Sequence, residues 1–235
     1  MTASNASVGP LVESHPAKRP QRVTLRGRWI TLTPLDPQAH AEALYEGSNG
    51  DPARESVWAY LFDGPYAGLD EFRANLEAKA RSADPLIFSV IDNASGRAVG
   101  YQTLMRIDAA DRVIEVGNVM YTPVMQRTAG ATEAQYLFAR HVFEELGYRR
   151  YEWKCHALNA PSRRAAERFG FTFEGIFRQH MIVKGRNRDT AWFAMLDSEW
   201  PARKAAYERW LAPDNFDSDG QQKVALSTLM PKGNE

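Results

Sequence analysis

The order of periodic segments predicts an α/β domain built on a mixed sheet. Three observations point there. Seven segments have the composition and alternation of strands. Several stretches between them carry apolar residues at three- and four-residue spacing, the pattern of helices lying on a sheet. Residues 113–173 read as strand, tight turn, helix, strand, helix, strand. No internal repeat or coiled-coil heptad is present.

Residues 1–21 are polar, with three prolines before position 21 and no apolar face, and are expected to form a mobile arm. Residues 22–34 alternate through Val23, Leu25, Trp29, Thr31 and Thr33 and predict a first strand. Asp36-Pro37 opens a helix, with Asp as cap and Pro in the first turn. Residues 49–68 hold Trp58, Tyr60, Phe62 and Tyr66, which either fill the core or wall a groove. Phe72, Leu76 and Ala80 mark a helix over 69–83. Strands follow at 86–91, 98–105 and 113–121. On the last, Val113, Glu115, Gly117, Val119 and Tyr121 share a face. A carboxylate among apolar neighbours needs a basic partner or a functional site. A helix with Ala134, Leu137, Phe138, Val142 and Leu146 on one stripe ends at Gly147. Residues 151–156 form a strand and 159–169 a helix. A long hairpin, 171–183 and 189–196, turns around 184–188. The domain is expected to span 22–200. Residues 201–235 then hold a helix to Leu211 and a polar, loose tail, in which Val224-Ala225-Leu226 could add an edge strand.

The turn Gln126-Arg127-Thr128-Ala129-Gly130-Ala131 carries the first chemical signal. Small residues let a ligand approach the backbone. The first N–H groups of the following helix lack intrahelical acceptors, and the helix dipole favours an anion there. No Lys-Ser or Lys-Thr follows the glycine, so this is not a nucleotide-hydrolysing P-loop. The series Gln126-x-x-Ala129-x-Ala131-Thr132-Glu133-Ala134, then Asn159-x-x-Ser162, then Phe169-Gly170-Phe171-x-x-Glu174-Gly175, resembles the GNAT superfamily of acyl-CoA-dependent N-acyltransferases. The likeness is to the branch of ribosomal-protein N-terminal alanine acetyltransferases, and it covers roughly residues 22–200. The family pattern is Gln/Arg-x-x-Gly-x-Gly/Ala, and Ala129 stands here where its first glycine is expected.

The resemblance implies a mostly antiparallel mixed sheet of about seven strands flanked by helices, splayed where the pantetheine of acetyl-CoA lies. It implies coenzyme contacts from Tyr121, Thr122, Gln126, Arg127, Thr128, Ala129, Gly130, Ala131, Thr132, Asn159 and Ser162. A carboxylate introduced at Gly130 is then expected to repel the phosphates. The implied activity is transfer of the acetyl group of acetyl-CoA to a primary amine, and the alternative is a non-catalytic acyl-CoA-binding or partner-binding protein on the same fold. The reaction needs a group to take a proton from the amine and a donor for the carbonyl oxygen. Glu115 is the candidate base or water-positioner and His156 the alternative. The oxyanion donor is expected to be a backbone N–H near residues 120–122. Ser162 either caps its helix or donates to the departing thiolate.

Composition bounds the rest. The chain has 235 residues, 29 Lys+Arg against 29 Asp+Glu, and 44% hydrophobic residues. The balanced charge gives no support for a nucleic-acid or membrane-surface partner. The single cysteine, Cys155, excludes an internal disulfide and a multi-cysteine metal site, and is expected to be a buried strand residue. The histidines have no metal-ligand spacing, so no metal is expected. No apolar run reaches membrane-spanning length and no signal peptide opens the chain, so a cytoplasmic location is expected. The expected partner is an amine, on a peptide N-terminus or a small molecule, with a homodimer left open.

Overall fold

The computed structural model describes residues 9–13 and 15–231. Eight strands form one sheet: β1 (Leu25–Arg26), β2 (Ile30–Pro34), β3 (Leu86–Asp92), β4 (Ala98–Asp108), β5 (Val113–Tyr121), β6 (Arg150–His156), β7 (Thr172–Val183) and β8 (Arg186–Leu196). Their order across the sheet is β1-β2-β3-β4-β5-β6-β8-β7. Every neighbouring pair is antiparallel except β5 with β6. The expected mixed, mostly antiparallel sheet is therefore present, with one strand more than the sequence predicts.

The extra strand arises where the first predicted strand breaks. The backbone of Gly27 passes directly over the carboxylate of Glu133; a β-carbon there would lie 2.3 Å from its Cδ. The N–H groups of Arg28, Trp29 and Ile30 donate to that carboxylate at 2.7, 2.7 and 3.0 Å. Glu133 is buried. Three donors turned inward to one anion cannot also serve a straight ladder, so the chain turns at residues 27–29.

Both faces of the sheet are covered. Helix α1 (Pro37–Ser48), capped by Asp36 through Gln38 and Ala39 N–H, follows β2. Then come α2 (Pro52–Glu55), a 3-10 turn (Ser56–Trp58) and α3 (Leu69–Arg81). Leu44, Trp58, Tyr66, Phe72 and Leu76 from this region pack on Tyr101 and Met120 of the sheet. Helix α4 (Ala129–Arg140) lies against the opposite face, with Ile30, Phe88, Ile114 and Val116 beneath it. Residues 130–139 of α4 are all buried, and its polar members are spoken for. Glu133 holds the β1–β2 turn, Gln135 donates to Gln102 and to the Tyr121 hydroxyl, and Thr132 accepts from Arg168. A π turn (His141–Glu145) extends α4, and Gly147, at φ 78°, stops it. Helix α5 (Ala160–Arg168) follows β6, and α6 (Trp200–Leu211) follows β8.

Two expectations about the ends change. Part of the proposed arm, residues 1–8 and 14, lies outside the described residues. Nearer the domain the chain is fixed rather than free: Ala17 N–H donates to Ala109 at 2.8 Å and Lys18 N–H to Leu146 at 2.9 Å. The tail is also folded up to residue 231. Leu226 and Met230 bury, a short helix α7 (Leu226–Leu229) forms, and Phe216 meets the Trp29 and Trp210 rings. The Asn215 amide donates to the carbonyls of Trp210 and Val224, which secures the turn. A few apolar anchors outweigh the polar composition of this segment. Val224-Ala225-Leu226 forms no edge strand.

Substituting Glu133 should test the central junction. Glu133→Gln keeps the shape but replaces one acceptor oxygen with a donor facing three N–H groups. It should lower unfolding free energy by about 3 kcal/mol in urea titration. An unchanged midpoint would mean that the junction is not needed for stability.

Candidate active site

β5 and β6 are paired only between Val113–Val116 and Arg150–Trp153. Beyond that point β5 stays on β4, with Met120 opposite Tyr101, and β6 stays on β8, with His156 opposite Thr190. The register of β4 with β5 shifts between Tyr101 and Thr103, and Asn118 sits there at φ 45°. This bulge bends β5 away from β6. The result is a fork with two strand edges facing a gap. Such edges can hydrogen-bond an extended ligand as an added strand would.

The loop that leaves β5 closes one prong. Thr122 is anchored to Val99 by its backbone and hydroxyl, and the Gln126 amide donates to Tyr121 O at 3.0 Å. Thr128 caps α4: its Oγ accepts from Ala131 N–H at 3.1 Å and donates to Met125 O. The N–H groups of Arg127, Thr128, Ala129 and Gly130 find no acceptor among the described residues. These four donors at a helix N-terminus are what an anionic diphosphate needs. The Tyr121 side chain points elsewhere, into the network with Gln102 and Gln135. Gly130 has a packing duty beside its open N–H. A β-carbon there would lie 2.8 Å from Ile30 Cγ2, so a carboxylate at this position would break packing rather than meet phosphates. The loop also walls a cavity of about 900 Å³ toward α1. On its rim, Arg54 and Arg97 are already paired with Asp51 and Glu46.

The second prong is β6 and the start of α5. Asn159 caps α5 by accepting from Ser162 N–H at 3.1 Å. The capping alternative for the Ser162 hydroxyl therefore falls to Asn159. Ser162 Oγ instead accepts from the Trp153 indole N–H at 3.0 Å, and its hydroxyl lies within hydrogen-bonding reach of the Cys155 thiol. Cys155 is buried, and burial pushes its thiol pKa up, so it packs as a small apolar residue. Arg168 of α5 reaches Thr132 of α4 at 3.0 Å and ties the two prongs together.

Glu115 lies on the face of the sheet away from α4. Its Oε2 meets Arg106 at 2.6 Å and Lys154 at 3.0 Å. The basic partner expected for a buried carboxylate is thus present twice. Its Oε1 has no protein hydrogen bond among the described residues and lies beside Gly117, where a β-carbon would be 3.0 Å away. Above this face the β7–β8 hairpin turns at Lys184-Gly185, both with positive φ, and bends over the sheet. Lys184 Nζ donates to the carbonyls of Trp58 and Gly64 at 2.9 and 2.8 Å, so the hairpin is strapped to the aromatic segment. That segment divides its labour. Trp58 and Tyr66 fill the core, whereas Tyr60 and Phe62 are each 40% exposed and face the groove. Tyr60 stands edge-on to His156, and Arg188 lies over Phe62. His156 Nδ1 accepts from Leu158 N–H at 3.1 Å.

The structure thus brings residues 126–132 and Asn159–Ser162 to the two prongs of one gap, with Glu115 below it. Sequence reasoning missed Asn118, Trp153, Lys184 and Arg188. Lys184 and Arg188 lie in the predicted hairpin turn, where charged residues read as solvated. Among the described residues, no cluster of His, Cys, Asp or Glu could hold a metal. No described helix is long and apolar enough to cross a membrane.

Comparison with known proteins places this geometry. The model of the acetyltransferase (GNAT) domain matches residues 30–172. A crystal structure of a GCN5-related N-acetyltransferase from Brucella melitensis is 55% identical, with a TM-score of 0.89, over 92% of this chain and 97% of that one. A GNAT-family structure from Chromobacterium violaceum is 40% identical with a TM-score of 0.77, over 86% of this chain and 100% of that one. Among curated proteins, the Bacillus subtilis (strain 168) "Putative ribosomal N-acetyltransferase YdaF" is 26% identical over 74% of this chain and 95% of its own length. The forked sheet, the open helix N-terminus and the match over residues 30–172 agree, and the chain belongs to the GNAT acetyltransferases.

Proposed function

We propose that the protein moves the acetyl group of acetyl-CoA to a primary amine by direct attack in a ternary complex. The observation that carries this reading is the fork headed by four unpartnered N–H groups. Pantetheine fits along the free strand edges, and the diphosphate fits at residues 127–130. The Bacillus subtilis relative is named a putative ribosomal N-acetyltransferase, which supports a ribosomal amine as one acceptor class, with small amines as the other.

The amine lone pair attacks the thioester carbon, the C–S bond breaks, and the sulfur leaves as a thiolate. Ser162 is the candidate to supply a proton or hydrogen bond to that sulfur, because its oxygen is held by Trp153 and its hydrogen can turn from the Cys155 thiol to a departing thiolate. Glu115 Oε1 is the free acceptor on the acceptor side of the sheet. There it orients the amine or a water that takes the amine's proton. No covalent enzyme intermediate is needed when the two substrates meet directly.

Three measurements test the parts of this reading. Arg127 is exposed beside the open N–H groups. Arg127→Glu should leave the melting temperature unchanged and weaken coenzyme A binding by about tenfold at low salt, read by calorimetry. Equal affinity would remove the loop from the binding site.

Ser162→Ala should cut turnover by an amount on the order of a hundredfold, as expected for a lost transition-state donor, with little change in melting temperature. Intact turnover would end the thiolate role.

Glu115→Gln should lower turnover by roughly a hundredfold. It should also lower the melting temperature, because both of its ion pairs weaken. Arg106→Met breaks one of those pairs and spares Oε1, so it should lower the melting temperature with a much smaller loss of turnover. Equal turnover losses in the two variants would make Glu115 structural.

A further inference from the structure

Arg188 is a cation without a counter-ion. It leaves β8 on the groove side and is only 7% exposed. Its Nε finds no hydrogen-bond partner, and no carboxylate lies within 4.0 Å of its guanidinium among the described residues. The Phe62 ring lies 5.3 Å from its Cζ. A buried guanidinium normally comes with a carboxylate, because desolvation of an unpaired charge is costly.

The surrounding carboxylates each already hold other donors, though Glu115 Oε1 stays open. Glu115 Oε2 serves Arg106 and Lys154, and Glu152 serves Arg150 and Lys154. Asp189 accepts from Gln179 N–H and the Asn187 amide. Positions 188, 190 and 192 alternate onto one face of β8. Thr190 is held by His180, whereas the Trp192 indole N–H, like Arg188 Nε, is buried with no partner. Among the described residues, this wall of the groove therefore has unspent donors and a cation that makes no ion pair, with Glu115 Oε1 as the nearby uncommitted acceptor.

We propose that the acceptor is an anionic amine, whose carboxylate or phosphate is bound by Arg188 while its amino group is presented toward Glu115. This rests on the reading of the groove as the acceptor site of an acetyltransferase. Coenzyme A does not supply the anion, since its phosphates are assigned to residues 127–130 at the head of the fork. The guanidinium offers planar paired donors to an oxyanion, and Phe62 backs its face.

Matched pairs of amines test this with the full chain and acetyl-CoA, following free thiol. The pairs are serine and serinamide, glutamate α-amide and glutamine α-amide, phosphoethanolamine and ethanolamine, and peptides beginning Ser-Glu and Ser-Gln. They separate an α-carboxylate, a side-chain carboxylate, a phosphate and an acidic peptide as the source of the charge. The anionic member of at least one pair should have a kcat/KM about tenfold or more above its neutral partner. Arg188→Gln should collapse that ratio toward one, and Arg188→Lys should restore part of it. Arg188→Gln should not lower the melting temperature, because it removes an unpaired buried charge. Calorimetry of the acetylated product of each pair into the coenzyme A complex gives a second readout, independent of turnover.

No preference in any pair by either readout overturns the proposal. So does an equal loss for both members in Arg188→Gln, or a large fall in melting temperature, which would make Arg188 a packing residue. Coenzyme A titration of the same samples distinguishes the two failures. Retained coenzyme binding with no anion preference discards only the acceptor class, and absent coenzyme binding discards the acetyltransferase reading beneath it.

Discussion

The site depends on how early one pair of parallel strands stops pairing. Interior strands normally satisfy their backbone groups on both sides, and leaving an edge open inside a sheet is costly. Here β5 and β6 share a ladder only over Val113–Val116 and Arg150–Trp153. The bulge at Asn118 carries β5 off with β4, and the pairing with β8 keeps β6 straight. Each strand then feeds a helix, and the Arg168–Thr132 contact fixes the separation of those helices. The open edges, the cradle at residues 127–130 and the placement of Ser162 all follow from that divergence.

Parallel pairing creates an electrostatic problem, and its solution shapes the groove floor. Glu115 and Glu152 stand directly opposite each other in register. Like charges so placed repel. Lys154 bridges them at 3.0 and 2.6 Å, and its ammonium also lies over the Trp192 ring. Arg106 and Arg150 flank the pair, and Glu174 extends the row on β7. Positive and negative charges thus alternate across β4, β5, β6 and β7. Among the described residues, the row pairs each of these carboxylates with a cation and leaves Arg188 without an ion pair. Burial, together with the nearby Arg106, Arg188 and Lys154 cations, holds the His180 imidazole below its usual range.

Periodicity made most of the architecture legible. The strand and helix segments, the order of elements in 113–173 and the tight turn that opens α4 could all be read because each follows a local rule. What could not be read depends on long-range contacts. Glu133 looks like an ordinary helix residue until the β1–β2 turn is folded over it. Gly130 looks like a ligand-facing glycine until Ile30 is placed beneath it. The aromatic run could not be sorted by composition, since Trp58 and Phe62 differ only in which side of a turn they occupy. Arg188 sits beside a turn in sequence and is enclosed in space because Lys184 draws the hairpin across the sheet. The tail was misread because Leu226 and Met230 are too sparse to form a pattern.

The Glu133 junction also imposes a schedule on the nascent chain. The three N–H groups it satisfies precede it by 103 to 105 residues. At ribosomal speeds of roughly 5–20 residues per second, that gap corresponds to about 5 to 20 s. Through this interval β1 and β2 are outside the ribosome with no anion to turn toward and no α4 to cover Ile30. The amino-terminal part of the sheet is therefore completed from its carboxyl-terminal side. Until residue 133 emerges, the first strands are open edges available to any other unpaired strand nearby.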